Sequence, residues 1–164
     1  MDALTGVRNK GAYTDCLQDL QSRIDAGEDM EFAIGIFDCD DLKTVNDVFG
    51  HDKGDEYLKV ASRLIRTVFE GSPVFRIGGD EFAVILQGED YEGRCELAAS
   101  FEGLRERICA AAENKWDEAH VAYGFAVHDA QLDQEVYDTA RRADKIMYEN
   151  KRMGKALRER EGRA

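Results

Sequence analysis

Phe75-Arg76-Ile77-Gly78-Gly79-Asp80-Glu81-Phe82 sets two glycines and two carboxylates between two apolar runs. Val74 to Ile77 and Phe82 to Leu86 read as short strands, and Gly78-Gly79 as the tight hairpin turn that joins them. Glycine has no Cβ, so such a turn lets a bulky ligand reach the backbone. The same turn holds Asp80 and Glu81 at an exposed tip, where carboxylates can bind a hard cation. Read from the residues alone, the segment is a site for phosphate and metal.

The segments on either side give the hairpin a fold. Upstream, Glu31 to Asp38 reads as a strand with Phe32, Ile34 and Ile36 on one face. Asp52 to Phe69 reads as a helix whose apolar stripe is Leu58, Ala61, Ile65 and Val68. Ser72-Pro73 stops that helix, because proline cannot continue it. Downstream, Tyr91 to Ala112 is a helix with Leu97, Phe101, Leu104 and Ile108 inward, and His120 to Val127 is a strand. Gly11 to Ile24 opens the chain as a helix. Gln134 to about Lys151 closes it through Val136, Ala140, Ala143 and Met147, with a frayed basic tail after Met153. The order is helix, β-α-β-β-α-β, helix. It predicts an α+β fold with a ferredoxin-like core, an antiparallel sheet whose core helices pack on one face. No internal repeat or linker interrupts it, so residues 1–164 form one domain.

In that plan the strand ending at Asp38 lies beside the hairpin, so Asp38 converges with Asp80 and Glu81. Three close carboxylates repel one another, and a divalent ion resolves the conflict. Oxygen ligands suit Mg²⁺ or Mn²⁺ far better than Zn²⁺. Taken singly, each acid is equally a solvated turn residue, and Asp40 or Asp41 is a candidate cap for a short helix that begins near Leu42. Lys and Arg number 22 against 34 Asp and Glu, a formal charge of −12. That balance excludes electrostatic binding to nucleic acid or to an anionic membrane surface, while a few local lysines still suffice for a nucleotide. Cys16, Cys39, Cys95 and Cys109 show no metal-ligand spacing and read as free thiols in a reducing compartment. No apolar stretch is long enough to span a bilayer, and no signal-peptide pattern is present; the expected location is the cytoplasm. The chain opens on Met1-Asp2 almost inside a motif, which reads as a piece cut from a larger regulatory protein.

Four further motifs accompany the hairpin. Asp38-Cys39-Asp40-Asp41-Leu42-Lys43-Thr44-Val45-Asn46-Asp47 is followed by Phe49-Gly50-His51-Asp52-Lys53-Gly54-Asp55. Asp2-Ala3-Leu4-Thr5-Gly6-Val7-Arg8-Asn9-Lys10 lies at the start, and Ala143-Asp144-Lys145-Ile146-Met147-Tyr148-Glu149-Asn150-Lys151 near the end. In order and spacing, from Asp2 to about Lys155, the set resembles the GGDEF family, the diguanylate cyclases of bacterial signalling.

That resemblance implies a nucleotide-cyclase-like fold and a site that condenses two GTP into cyclic di-GMP with release of pyrophosphate. It implies metal ligation by Asp38, Asp80 and the carbonyl of Cys39, with two ions per GTP in the active state. Glu81 is then either a further metal ligand or the group that helps deprotonate the 3′-hydroxyl. Asn46 and Asp55 match the residues that read guanine; a carboxylate accepts from its N1–H and exocyclic amine, a donor pair that adenine lacks. Leu42, Lys43, Gly78, Gly79, Lys151 and Lys155 match positions around the nucleotide. The implied partners are GTP, a second copy of the same domain and an N-terminal sensory domain. A GTP-binding regulatory module without turnover is the alternative.

The chain also departs from the family pattern. Lys155 stands where the family has arginine, which keeps the charge and loses the bidentate fork. Ala122-Tyr123 replaces a Ser-Ile pair. Phe69 and Ser72 occupy the ends of the family's R-x-x-D product site, so inhibition by product through that site is not expected. His51, His120 and His128 are expected to have no chemical role.

Overall fold

The strand β1 (Ala33–Cys39) is buried along its whole length. Its side chains alternate, with Ala33, Phe37 and Cys39 in one apolar cluster and Ile34 and Ile36 in another. A strand that is apolar on both sides needs cover on both sides. The computed structural model, which describes residues 1–162, supplies it. The helices are α1 (Lys10–Asp25), α2 (Leu42–Phe49), α3 (His51–Val68), α4 (Gly88–Glu92), α5 (Arg94–Ala111) and α6 (Val136–Gly162). With β2 (Val74–Arg76), β3 (Glu81–Leu86) and β4 (Val121–Val127), β1 makes one antiparallel sheet in the order β2-β3-β1-β4. The core helices α3 and α5 cover the Phe37 face, and α1 and α6 cover the Ile34 face. The expected ferredoxin-like core is present, closed on its second face by the terminal helices.

Phe37 is the hub of the first cluster. The rings of Phe69, Phe101, Tyr123 and Phe125 surround it at centroid distances of 5.1–6.1 Å. Each fully buried ring stabilises the fold by roughly 1.5–3 kcal/mol. Phe69, at one end of the missing product motif, is therefore core, and Ser72 at the other end donates to Asp90 at 2.5 Å.

Two helices differ from the sequence expectation. The helix expected from Tyr91 to Ala112 is interrupted at Gly93, which ends α4 and precedes α5. The closing helix does not fray after Met153; α6 runs to Gly162. Its last turns contain no proline, and Arg158 ties them to Asp40 and Asp41 at 3.4 and 3.6 Å. All four cysteines are free. Among the described residues no helix is long and apolar enough to cross a membrane.

Two contacts fix where α6 lies. At Gly124, on β4, a Cβ would fall on Met147 N, 2.5 Å from Ala143 O and 2.9 Å from the Ile146 carbonyl carbon. Helix backbone and strand backbone touch there, and only glycine permits it. At the start of α6, the buried Asp133 carboxylate accepts from Arg142 Nε at 2.8 Å, from Thr139 Oγ1 at 2.9 Å and from the Asp129 N–H at 3.1 Å. Arg142 also donates to Val127 O, joining α6 to the end of β4. His128 stacks on Phe32 and bonds Thr139, which accounts for it structurally.

The Arg142 hydrogen bond, aided by those of Asp129 and Thr139 and opposed by burial, holds the Asp133 carboxyl down at about 2 against an ordinary 3.8. A depressed carboxyl contributes stability that is whole above the unfolded value and is lost as pH falls towards the folded one. A gap of about two units corresponds to roughly 2–3 kcal/mol. The expected result is a stability loss of that size between pH 4 and 2, read from urea midpoints. Asp133→Asn should flatten this acid limb; an unchanged slope would assign the acid sensitivity elsewhere.

Candidate active site

The sheet brings the sequence's carboxylates together at one end. Asp38 pairs with Glu81 in the β1–β3 ladder, and the Cys39 N–H donates to Asp80 O at 2.8 Å. Arg76 braces the turn by donating to Gly79 O at 2.7 Å, and it pairs with Asp2 at 3.3 Å. The turn itself differs from expectation. It is not a two-residue hairpin but the four residues Ile77 to Asp80, with the Ile77 and Gly78 N–H groups both donating to Glu81 O. Neither glycine has a left-handed φ. A Cβ at Gly79 would meet nothing within 4 Å, and one at Gly78 only the Glu81 side chain at ordinary contact distance. Nothing in the chain's own conformation or packing requires glycine at either position.

The electrostatics of this end are unbalanced. Burial raises the Asp38 carboxyl, and the Asp80 charge raises it further, against the hydrogen bond from Lys151. Burial likewise raises Glu81, followed by the charges of Asp38, Asp144 and Asp80. Lys151 answers them from α6, its Nζ 3.1 Å from Asp38 Oδ1 and 3.8 Å from Asp40 Oδ1. Burial opposes the Lys151 charge, but the Asp38 hydrogen bond and the charges of Asp38, Asp40 and Asp80 outweigh it and raise its pKa. Among the described residues no three His, Cys, Asp or Glu side chains stand together as a metal cage. The ammonium of Lys151 holds Asp38 instead. The donor set still fits a hard cation: oxygen ligands only, with mutual repulsion that a divalent ion would relieve.

The second group of expected residues lies on the helices that leave β1. Asn46 is on α2, and Asp55 is exposed in the first turns of α3. Leu42, at the start of α2, packs on the Phe37 cluster, and Lys43 beside it is exposed. Lys43 and Lys155 make no ion pair among the described residues, whereas Lys151 makes two. Asp41 does stand at the N-cap of α2, but with φ 67° and no capping hydrogen bond from its side chain, contrary to the expected cap.

Four residues near the site have roles that the sequence reading does not give them; Asp40 is there only a candidate helix cap. Asp40 is buried, with Oδ1 lacking a hydrogen-bond partner among the described residues and Oδ2 against Arg158. Tyr57 donates to Asp40 O at 2.5 Å and accepts from the His120 N–H at 3.1 Å, holding the loop between β1 and α2. Asp144 adds its charge to Glu81. Arg158 follows Met147, Lys151 and Gly154 at helical spacing, a pattern legible had the helix been carried past Lys151.

Known proteins resemble this chain. The family described as diguanylate cyclase, GGDEF domain, matches residues 1–156. The diguanylate cyclase DgcS of Shewanella oneidensis is 32% identical over 157 residues, covering 94% of this chain and 50% of that protein. The cyclic di-GMP phosphodiesterase NbdA of Pseudomonas aeruginosa is 30% identical over 142 residues, 85% of this chain and 18% of that protein. The crystal structure of the GGDEF domain of DgcB from Caulobacter crescentus, in complex with c-di-GMP, superposes with a TM-score of 0.76 at 25% identity, covering 94% and 91% of the two chains. The chain thus spans half or less of these two curated relatives and nearly all of the solved domain. With the glycine–carboxylate turn set beside Asp38 on a β2-β3-β1-β4 sheet, this chain belongs to the GGDEF-domain family.

Proposed function

We propose that this domain is a diguanylate cyclase, which joins two GTP molecules into cyclic di-GMP and releases pyrophosphate. One observation carries the reading: the Gly78-Gly79 turn is open to approach, is unexplained by the fold, and lies among carboxylates with unrelieved negative charge. A ligand backbone contact explains the glycines, and a cation explains the acids.

Asp38, Asp80, Glu81 and the carbonyl of Cys39 are the groups that would hold Mg²⁺ or Mn²⁺. Such ions, two per GTP in the active state, supply charge neutralisation at the reacting phosphate. The chain's own residues do the rest. The first N–H groups of α2, which have no acceptor inside the helix, face phosphate oxygens together with Lys43. Lys151 and Lys155 add positive charge from α6. Asn46 and Asp55 hold the guanine edge. Glu81 is either a further ligand of these ions or the group that takes the proton of the attacking 3′-hydroxyl. Burial, followed by the charges of Asp38, Asp144 and Asp80, raises its carboxyl, which suits it to the second role. The oxygen then attacks the α-phosphorus of the second GTP, and pyrophosphate leaves with the bonding electron pair. The reciprocal attack by the second GTP's 3′-hydroxyl closes the ring and releases a second pyrophosphate. Each domain carries one nucleotide, so two copies must meet face to face. The parent protein is proposed to be longer, with a regulatory region that sets this encounter.

A second reading, a GTP-binding regulatory module, is favoured by the Lys151–Asp38 ion pair, which occupies Asp38 Oδ1 and so competes with a metal for that carboxylate. One experiment separates the two. Incubation with GTP and Mg²⁺ over a wide dilution series should give cyclic di-GMP at a specific rate that rises with protein concentration. A rate independent of dilution would contradict a site completed by a second copy. Saturable GTP binding with no product at the highest concentration would establish the regulatory module instead.

A further inference from the structure

Gly54 is the fourth residue of α3, in the body of an 18-residue helix. Glycine there is about 1 kcal/mol less favourable than alanine, so its presence needs a reason. The backbone gives none, because Gly54 does not have a left-handed φ. Packing does. A Cβ on Gly54 would fall on Asn46 Oδ1 and lie 2.8 Å from Asn46 Cγ and 3.4 Å from Nδ2. The Asn46 amide enters, oxygen first, the space that a side chain at position 54 would fill. The amide makes no hydrogen bond among the described residues, so its position is set by shape alone. Asn46 is half-buried, and Gly54 is buried beneath it.

We propose that Gly54 is a positioning residue for base recognition: it seats the Asn46 amide at the depth from which that amide meets the purine edge, next to Asp55. This inference rests on the reading of Asn46 as a guanine contact. A methyl at position 54 forces the amide to rotate out of its seat or α2 to shift against α3. Rotation of the amide leaves the carboxylates at the end of β1 in place, so that outcome should appear in base selectivity and nucleotide affinity. A shift of α2, which follows β1 after two residues, would also weaken the phosphate contacts.

The test is a double-mutant cycle on Gly54→Ala and Asn46→Ala. Binding of GTP and of inosine triphosphate, which lacks the exocyclic amine, is measured by calorimetry with Mg²⁺, alongside thermal melts. Gly54→Ala should melt at or above the parent temperature, since the helix gains propensity. It should nevertheless bind GTP about tenfold more weakly, the size of one lost hydrogen bond. Its preference for GTP over inosine triphosphate should shrink. The double variant should bind no worse than Asn46→Ala alone.

The ways of failing are distinct. If Asn46→Ala binds GTP like the parent, the guanine reading fails and this inference falls with it. If Asn46→Ala weakens binding and Gly54→Ala does not, the reading stands and the inference is overturned. Additive losses also overturn it, because Gly54 would then act by another route. Should Gly54→Ala melt far below the parent, the double variant decides. Recovery of the melt identifies Asn46 as what the methyl strikes, and a double variant equally unstable rejects the proposal.

Discussion

Replacing Asp80 by alanine should reduce cyclic di-GMP formation about a thousandfold or more, the scale of a lost preorganised charge at a phosphoryl-transfer site. The fold should not suffer. Asp80 contributes to the sheet through its carbonyl, which accepts from the Cys39 N–H and which alanine retains. The turn is braced by Arg76 on Gly79 O, not by the Asp80 side chain. That side chain instead pushes up the carboxyls of Asp38 and Glu81. A carboxyl whose folded pKa is raised opposes folding once pH exceeds its unfolded value, so removing Asp80 lessens a destabilising term at neutral pH. The variant should therefore melt at or above the parent temperature without metal, and should lose the rise in melting temperature that GTP with Mg²⁺ gives the parent. Product at the parent rate would remove Asp80 from the site. A lower melt without metal would mean that the acid is structural.

This opposition between stability and activity explains what the sequence disclosed. Strand and helix order was legible because Phe32, Ile34 and Ile36 alternate along one strand face and Leu58, Ala61 and Ile65 recur at helical spacing, and period is what an alternating or helical core imposes. The convergence of Asp38 with Asp80 and Glu81 was legible because strand order sets register, and register set Asp38 opposite Glu81. The form of the turn was not. Gly-Gly between apolar runs signals a two-residue hairpin when glycine serves the backbone, but here the backbone makes no such demand. Glycines kept for a ligand look the same in one sequence as glycines kept for a turn.

Side-chain partnerships across long separations were equally hidden. Lys151 meets Asp38, and Arg158 meets Asp40, over 113 and 118 residues. Only the placement of α6 creates these pairs. Charge composition spoke of an acidic chain and could not show that two of its cations, Lys151 and Arg158, stand on the helix face turned towards the acids. The packing of Gly54 under Asn46 likewise depends on the angle between α2 and α3, which no spacing rule encodes.

The placement of α6 depends most on Gly124, and Gly124→Ala should be the more damaging change for the molecule as a whole. The added methyl has no side chain to push aside. It meets Met147 N, Ala143 O and the Ile146 carbonyl carbon, all backbone of α6. Overpacking of this kind costs about 1–3 kcal/mol where side chains can yield, and rigid backbone puts this case at or beyond the upper end. For a chain of this length, a loss near 3 kcal/mol lowers the melting temperature by roughly 6–12 °C. The helix must either lift from β4 or slide along it. Lys151 is one turn beyond Met147, so either movement draws its ammonium away from Asp38 and Asp40. If Lys151 meets phosphate as proposed, a displacement of about 1 Å is enough to slow reaction about a hundredfold. Gly124→Ala should thus lose stability and turnover together, whereas Lys151→Ala, compared in the same melts and cyclase assay, should lose mainly turnover. A Gly124→Ala protein that melts with the parent would show that α6 can yield without cost. One that loses stability while keeping full turnover would show that Lys151 does not depend on where the helix lies.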